Sequence, residues 1–154
     1  VKCTSVDPYK ILVTGRIKHF TSAFGEHVIA EEVEGAMKKA LEHFKDTDVV
    51  EFTVAPQLDP SEGLPYHEWI IDFSSGPTDL SAFANYLDAE MQTRNVYYAD
   101  LIKGKILKPL EIRNVSKGAF NEYMKSQGKL GGQNKIPRLS NDRKIADGIL
   151  QCSE

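Results

Sequence analysis

Two β-rich runs separated by a turn-forming connection constrain this chain more than any other feature. DVVEFTVAPQL, residues 48–58, and LPYHEWIIDFS, residues 64–74, are rich in residues that suit a pleated surface, and Pro60 and Gly63 lie in the connection. Such runs pack as strands, and proline with glycine at the break favours a chain reversal, so the two are expected to be antiparallel neighbours. Within this strand Tyr66, Trp69 and Phe73 read as core and cross-strand packing, and Tyr97 and Tyr98 read the same way.

Helical periods flank the pair. In AEEVEGAMKKALEHF, Val33, Met37, Ala40, Leu41 and Phe44 fall on one face, with glutamates early and Lys38 and Lys39 later, as the helix dipole favours. Thr78 or Asp79 caps a second helix carrying Leu80, Phe83, Ala84, Leu87 and Met91 at helical spacing. YKILVTGRIKHF is expected to open the chain as a hairpin turning at Gly15. VYYADLIKG reads as a short helix or turn, KPLEIRNV as a strand and KGAFNEYMKSQ as a helix, and Asn141-Asp142 is expected to open a last helix. The expected class is α+β over residues 1–154 as a single domain: an N-terminal β-hairpin, then a mixed, largely antiparallel sheet in one layer packed with helices.

With 154 residues, 41% of them hydrophobic, the chain can bury one core. It carries no apolar run long enough to span a bilayer and no signal-peptide pattern, so a soluble cytoplasmic location without membrane contact is expected. Starting on valine close before a strand, it reads as a piece of something longer. Cys3 and Cys152 lie near the two ends and are expected to be free thiols. The four scattered histidines lack zinc-site spacing, so no metal site is expected. A net charge of −3 argues against a nucleic-acid binder. Yet residues 103–144 hold eleven Lys and Arg against three Asp and Glu, a basic end suited to an anion or an acidic partner, or simply a solvated surface.

The glycine-rich stretch LGGQNKIPRLSNDRK lies in that basic end. It is not a phosphate-cradling P-loop: in YMKSQGKL, Tyr123 stands where the first glycine belongs and Leu130 where the hydroxyl belongs. No G-x-S-x-G elbow is present, and neither cysteine has the setting of a nucleophile.

Two distant stretches, TGRIKHFTSAFGEHVIAEEVE and GGQNKIPRLSNDRKIAD, together resemble the hinge, glycine loop and terminal lysine motif of the C-terminal domain of adenylate-forming enzymes. SAFGEHVIAEEVE, VAPQLDPSEGLPYHEWIIDF, YYADLIKGKIL and KLGGQNKIPRLSNDRKIAD resemble, more closely, bacterial members of the auxin-responsive acyl acid amido synthetase family named Gretchen Hagen three. The resemblance implies the mobile C-terminal domain of a longer enzyme that activates a carboxylic acid with ATP and Mg2+ and passes the acyl group to an amino acid. It also implies a large N-terminal adenylation domain as partner, holding most of the nucleotide and acid pocket.

Carried over residue by residue, the resemblance makes Lys135 the catalytic lysine. A compact ammonium on a flexible stem can bridge a carboxylate and the α-phosphate, and Gly131 and Gly132 free the loop while Pro137 stiffens it. The end loop lacks the broader pattern's proline-lysine-threonine opening and later glycine-lysine pair, so Lys129 stands as the alternative. Arg16, at the hinge-like turn, and Arg138 are nucleotide-side candidates, Arg138 pairing with a phosphate or with an acidic group of the partner domain. Gly25 and Glu26 fall on the acyl-transfer loop, where Glu26 either orients the amino-acid amine or caps the following helix. The competing function is a stand-alone α+β interaction module whose basic end docks on an acidic partner.

Overall fold

The computed structural model describes residues 2–6, 9–12, 20–129 and 135–153. At its start β1 (Lys2–Val6) and β2 (Tyr9–Leu12) pair antiparallel, with Val6 opposite Tyr9. The chain therefore reverses between β1 and β2, and the turn expected at Gly15 lies outside the described residues. Asp7-Pro8, a turn-initiating pair, stands between the two strands in the sequence. A second small ladder joins β3 (Phe20–Thr21) to β4 (Val28–Ile29), leaving 22–27 as the loop between them.

The central sheet is built on the long hairpin of β5 (Asp48–Gln57) and β6 (Tyr66–Ser75), antiparallel from Asp48 opposite Ser75 to Gln57 opposite Tyr66. On the far side of β6 lies β7 (Glu111–Asn114), parallel to it, which makes the sheet mixed. The chain crosses between β6 and β7 through α2 (Leu80–Arg94) and α3 (Val96–Lys103). Asp79 caps α2 by accepting the Ala82 N–H at 2.9 Å, and Asn95 ends α2 and caps α3 by accepting from Tyr98 N–H at 2.8 Å.

Helices cover both faces of the central sheet, so the one layer of sheet expected from the sequence lies between two helical layers. On one face Phe52, Val54, Trp69, Ile71 and Phe73 meet Val33, Ala36, Met37 and Ala40 of α1 (Ala30–His43) and Phe83, Leu87 and Met91 of α2. On the other, Ala55 and Ile70 meet α4 (Ala119–Ser126) and α5 (Lys144–Ser153) through Ala119, Phe120, Ala146 and Ile149, with Ile136 in the same cluster. Each large apolar side chain buried this way contributes roughly 1.5–3 kcal/mol. Strand β6 is consequently buried on both sides from Tyr66 to Phe73. Tyr98 joins the core as expected, whereas its neighbour Tyr97 is 63% exposed, because successive helical residues point to different faces.

Burial on both sides places polar side chains of β6 in the interior. His67 lies on the α1/α2 face, and Glu68 and Asp72 on the α4/α5 face, all three nearly inaccessible. Each is paired: His67 with Glu26, Glu68 with Arg143 at 2.7 Å and Arg113 at 3.4 Å, and Asp72 with the N–H of Gly118 before α4 at 3.0 Å.

Candidate functional site at the lysine segment

Ile136 to Ser140 form the best-fixed stretch near the basic end, lying along β5. Val54 donates to the Arg138 carbonyl at 2.9 Å, Ser140 N–H donates to the Val54 carbonyl at 3.1 Å, and Thr53 Oγ1 donates to the Pro137 carbonyl at 2.7 Å. This parallel bridge centres on Leu139, which is fully buried, and Ile136 is sunk between α4 and α5. Lys135 stands exposed directly ahead of that fixed stretch. Its backbone is thus held from the C-terminal side while its ammonium reaches solvent.

Lys135 and Lys129 line the same cavity of about 180 Å3, walled by Tyr123 and Met124 of α4, Pro137 and Ile145. The two lysines between which the sequence leaves a choice therefore share one locale.

Arg138 turns back onto its own domain. Its guanidinium donates to Glu51, to Glu34 at 3.2 Å and to the Phe52 carbonyl at 3.1 Å, and it lies over the Phe52 ring, 4.5 Å from the centroid. Glu51 also accepts the Phe52 N–H at 3.1 Å, so side chains occupy both hydrogen-bonding groups of β5 at Phe52. That blunts the strand edge beyond Leu139.

The N-terminal stretch meets this segment directly. Thr21 Oγ1 donates to the Ser140 carbonyl at 2.9 Å, and Ser22 N–H donates to Asn141 Oδ1 at 2.7 Å. Asp142, and not Asn141, caps α5 locally by accepting the Lys144 N–H at 3.0 Å. The two stretches singled out in the sequence are thus in contact, joined by residues 119 positions apart.

Gly25 sits exposed at φ +89°, a conformation that glycine adopts without a Cβ clash. Glu26 next to it is fully buried: Oε1 lies 2.8 Å from His67 Nε2, and Oε2 accepts the Phe24 N–H at 2.8 Å. Burial pushes its carboxyl up, but the hydrogen bond from His67, those from the Glu26 and Phe24 backbone, and the histidine's charge outweigh it and hold the pKa below the usual carboxylate range. The carboxylate does not cap α1; the free Ile29 N–H there is taken by Glu32 at 3.0 Å. Behind His67 stacks Tyr98, whose hydroxyl donates to Asp88 at 2.5 Å; burial, then the Asp88 charge, push that phenol well above its ordinary value.

A family model described as the GH3 family C-terminal domain matches residues 31–144. That is most of the chain. The chain belongs to this family. Among solved structures, the GH3 C-terminal domain fold superposes on a GH3.15 acyl acid amido synthetase with TM-score 0.70 at 21% identity, covering 89% of this chain and 26% of that one. A second, described as AtGH3.15 acyl acid amido synthetase in complex with 2,4-DB, gives TM-score 0.68 at 22% identity, over 91% and 26%. The chain spans about a quarter of the length of these solved chains. A search of curated proteins finds no match.

The GH3 match takes in Lys135 and Arg138 and begins after Gly25 and Glu26. Arg16, Gly131 and Gly132 lie outside the described residues. Among the described residues no three His, Cys, Asp or Glu side chains gather as a metal group, no helix is long and apolar enough to cross a membrane, and Cys152 is a free thiol. The sequence carries no local signal for the pairing of His67 with Glu26, of Glu34 and Glu51 with Arg138, or of Asn141 with Ser22, since each pair is distant in the chain.

Proposed function

We propose that this GH3 C-terminal domain, residues 1–154, is the mobile C-terminal part of an ATP-dependent acyl acid amido synthetase that adenylates a carboxylic acid and transfers the acyl group to an amino acid. The observation that carries this reading is the exposed Lys135 at the head of a segment fixed along β5, inside the family match.

In adenylation a carboxylate oxygen attacks the α-phosphate, and negative charge gathers on two groups drawn together. Lys135 supplies a point charge that can contact both oxygens, and fixed backbone behind it lowers the cost of orienting it. Arg138 serves in this reading first as the anchor of the segment, since its fork is filled by Glu51, Glu34 and the Phe52 carbonyl. A phosphate contact by Arg138 would have to displace those carboxylates. Arg16 is proposed on the nucleotide side of the hinge. Gly25 shapes the acyl-transfer loop, and Glu26 holds it from within through His67.

ATP and its Mg2+ would be held mostly by the N-terminal adenylation domain of such an enzyme, with the carboxylic acid and amino acid between the two domains. This chemistry requires neither nucleic acid nor membrane and belongs in the cytoplasm, where ATP is supplied. A binding module without chemistry fits less well, because Lys108, Arg113, Arg138 and Arg143 of the basic end are taken up by carboxylates of this chain.

The test is acid-dependent ATP–pyrophosphate exchange by the full-length enzyme over a panel of carboxylic acids, followed by amide formation over a panel of amino acids. Exchange with at least one acid and amide with at least one amino acid are expected. Release of ADP in place of AMP, or exchange indifferent to every acid, contradicts the reading.

A further inference from the structure

We infer that Asn141 is a positioning residue that locks the 22–26 loop onto the lysine segment, which β5 holds independently. The inference rests on the proposed function for what the loops do, and on geometry alone for their coupling.

The bonds close a ring. The lysine segment is fixed to β5 through Val54 and Thr53. From its far end, Ser140 and Asn141 hold Thr21 and Ser22. The loop then runs to Glu26, which is tied to His67 on β6, the strand paired with β5. Two of these ties have deep anchors, since Thr21 in one and Glu26 with His67 in the other are essentially inaccessible.

Asn141 is the exposed member and the one whose side chain has a choice. Preceding a helix, an Asn ordinarily turns its oxygen to a nearby backbone N–H. Here Asp142 fills that place and Asn141 reaches across to Ser22. The Ser22 N–H is the first donor after β3, so its acceptor fixes where the loop leaves the ladder. Deleting that acceptor frees the loop at its exit without touching the buried Glu26–His67 anchor.

The test is hydrogen–deuterium exchange on the full-length enzyme carrying Asn141→Ala or Asn141→Asp, with single-turnover acyl transfer measured on the same proteins. Asn141→Ala should speed exchange at the 22–25 amides about five- to tenfold, the worth of one ordinary hydrogen bond. It should slow acyl transfer by a similar factor and leave pyrophosphate exchange within about twofold. Asn141→Asp keeps the acceptor oxygen and should restore both. Unchanged exchange at 22–25 in Asn141→Ala, no rescue by Asp, faster exchange spread through α2 and β6, or transfer unaffected while the loop loosens would each overturn the inference. If acid-dependent exchange of pyrophosphate is absent altogether, the functional reading fails, and the amide-exchange arm still decides the coupling.

Discussion

Glu26 Oε1 lies 2.8 Å from His67 Nε2, both side chains fully enclosed, and this contact ties the loop after β3 to the middle of the sheet. Removing one partner of a buried pair leaves the other desolvated, so Glu26→Ala should destabilise the protein by about 3–5 kcal/mol. The pH dependence has a definite sign. The folded carboxyl is held below its ordinary value, so its stabilisation is complete above the unfolded carboxylate pKa of about 4.3 and is lost as pH falls through the lower folded value. Denaturant unfolding from neutral to acid pH should show that loss in the wild type and a flatter profile in Glu26→Gln.

Arg138 ties its segment to α1 through Glu34 and to β5 through Glu51 and the Phe52 carbonyl, but its side chain is 30% exposed, so solvent discounts each ion pair. Arg138→Ala should cost about 1–2 kcal/mol, including the stacking on Phe52. Arg138→Lys should recover less than half, because an ammonium cannot fork between two carboxylates and a carbonyl. Urea midpoints at constant m-value check both.

Gly148 lets α5 approach α4: a Cβ there would lie 2.4 Å from Cε2 of Tyr123. Gly148→Ala should therefore destabilise by about 1–3 kcal/mol through overpacking, despite the better helix propensity of alanine. In the double variant with Tyr123→Ala the Gly148→Ala penalty should vanish, and thermal unfolding of the four proteins in the cycle measures that coupling.

Much of the fold is legible locally. The stripe of Val33, Met37 and Ala40, the Asp79 cap and the Pro60/Gly63 reversal each act over a few residues. The parallel pairing of β7 is not, because its register with β6 is set after a crossover through two helices. Nor is the second helical layer, although YHEWIIDF hints at it: His67, Glu68 and Asp72 interrupt the apolar residues of a strand buried on both faces. They are tolerated there because Glu26, Arg143 and Gly118 come to them from 41, 75 and 46 positions away. At the site, Lys135 and the positive φ of Gly25 carry local signals. The inward turn of Glu26 and the reach of Asn141 to Ser22 depend on tertiary neighbours that no spacing rule encodes.

Taken alone, residues 1–154 should unfold cooperatively and bind ATP only in the millimolar range or weaker. Exposed cation–phosphate contacts are each worth about 1 kcal/mol or less, and a few of them cannot hold a nucleotide more tightly. Calorimetric titration with ATP and with an acyl-adenylate analogue measures this; micromolar binding would place a complete pocket within the chain.

The central claim is that Lys135, ahead of the fixed segment, contacts the reacting groups. It is tested most directly by acid-dependent pyrophosphate exchange in full-length Lys135→Ala and Lys129→Ala, made side by side with their unfolding midpoints. Lys135→Ala should lower kcat/KM for exchange on the order of a hundred- to a thousandfold with an unchanged midpoint, and Lys129→Ala should stay within a few-fold of wild type. Exchange by a folded Lys135→Ala within a few-fold of wild type would contradict the account.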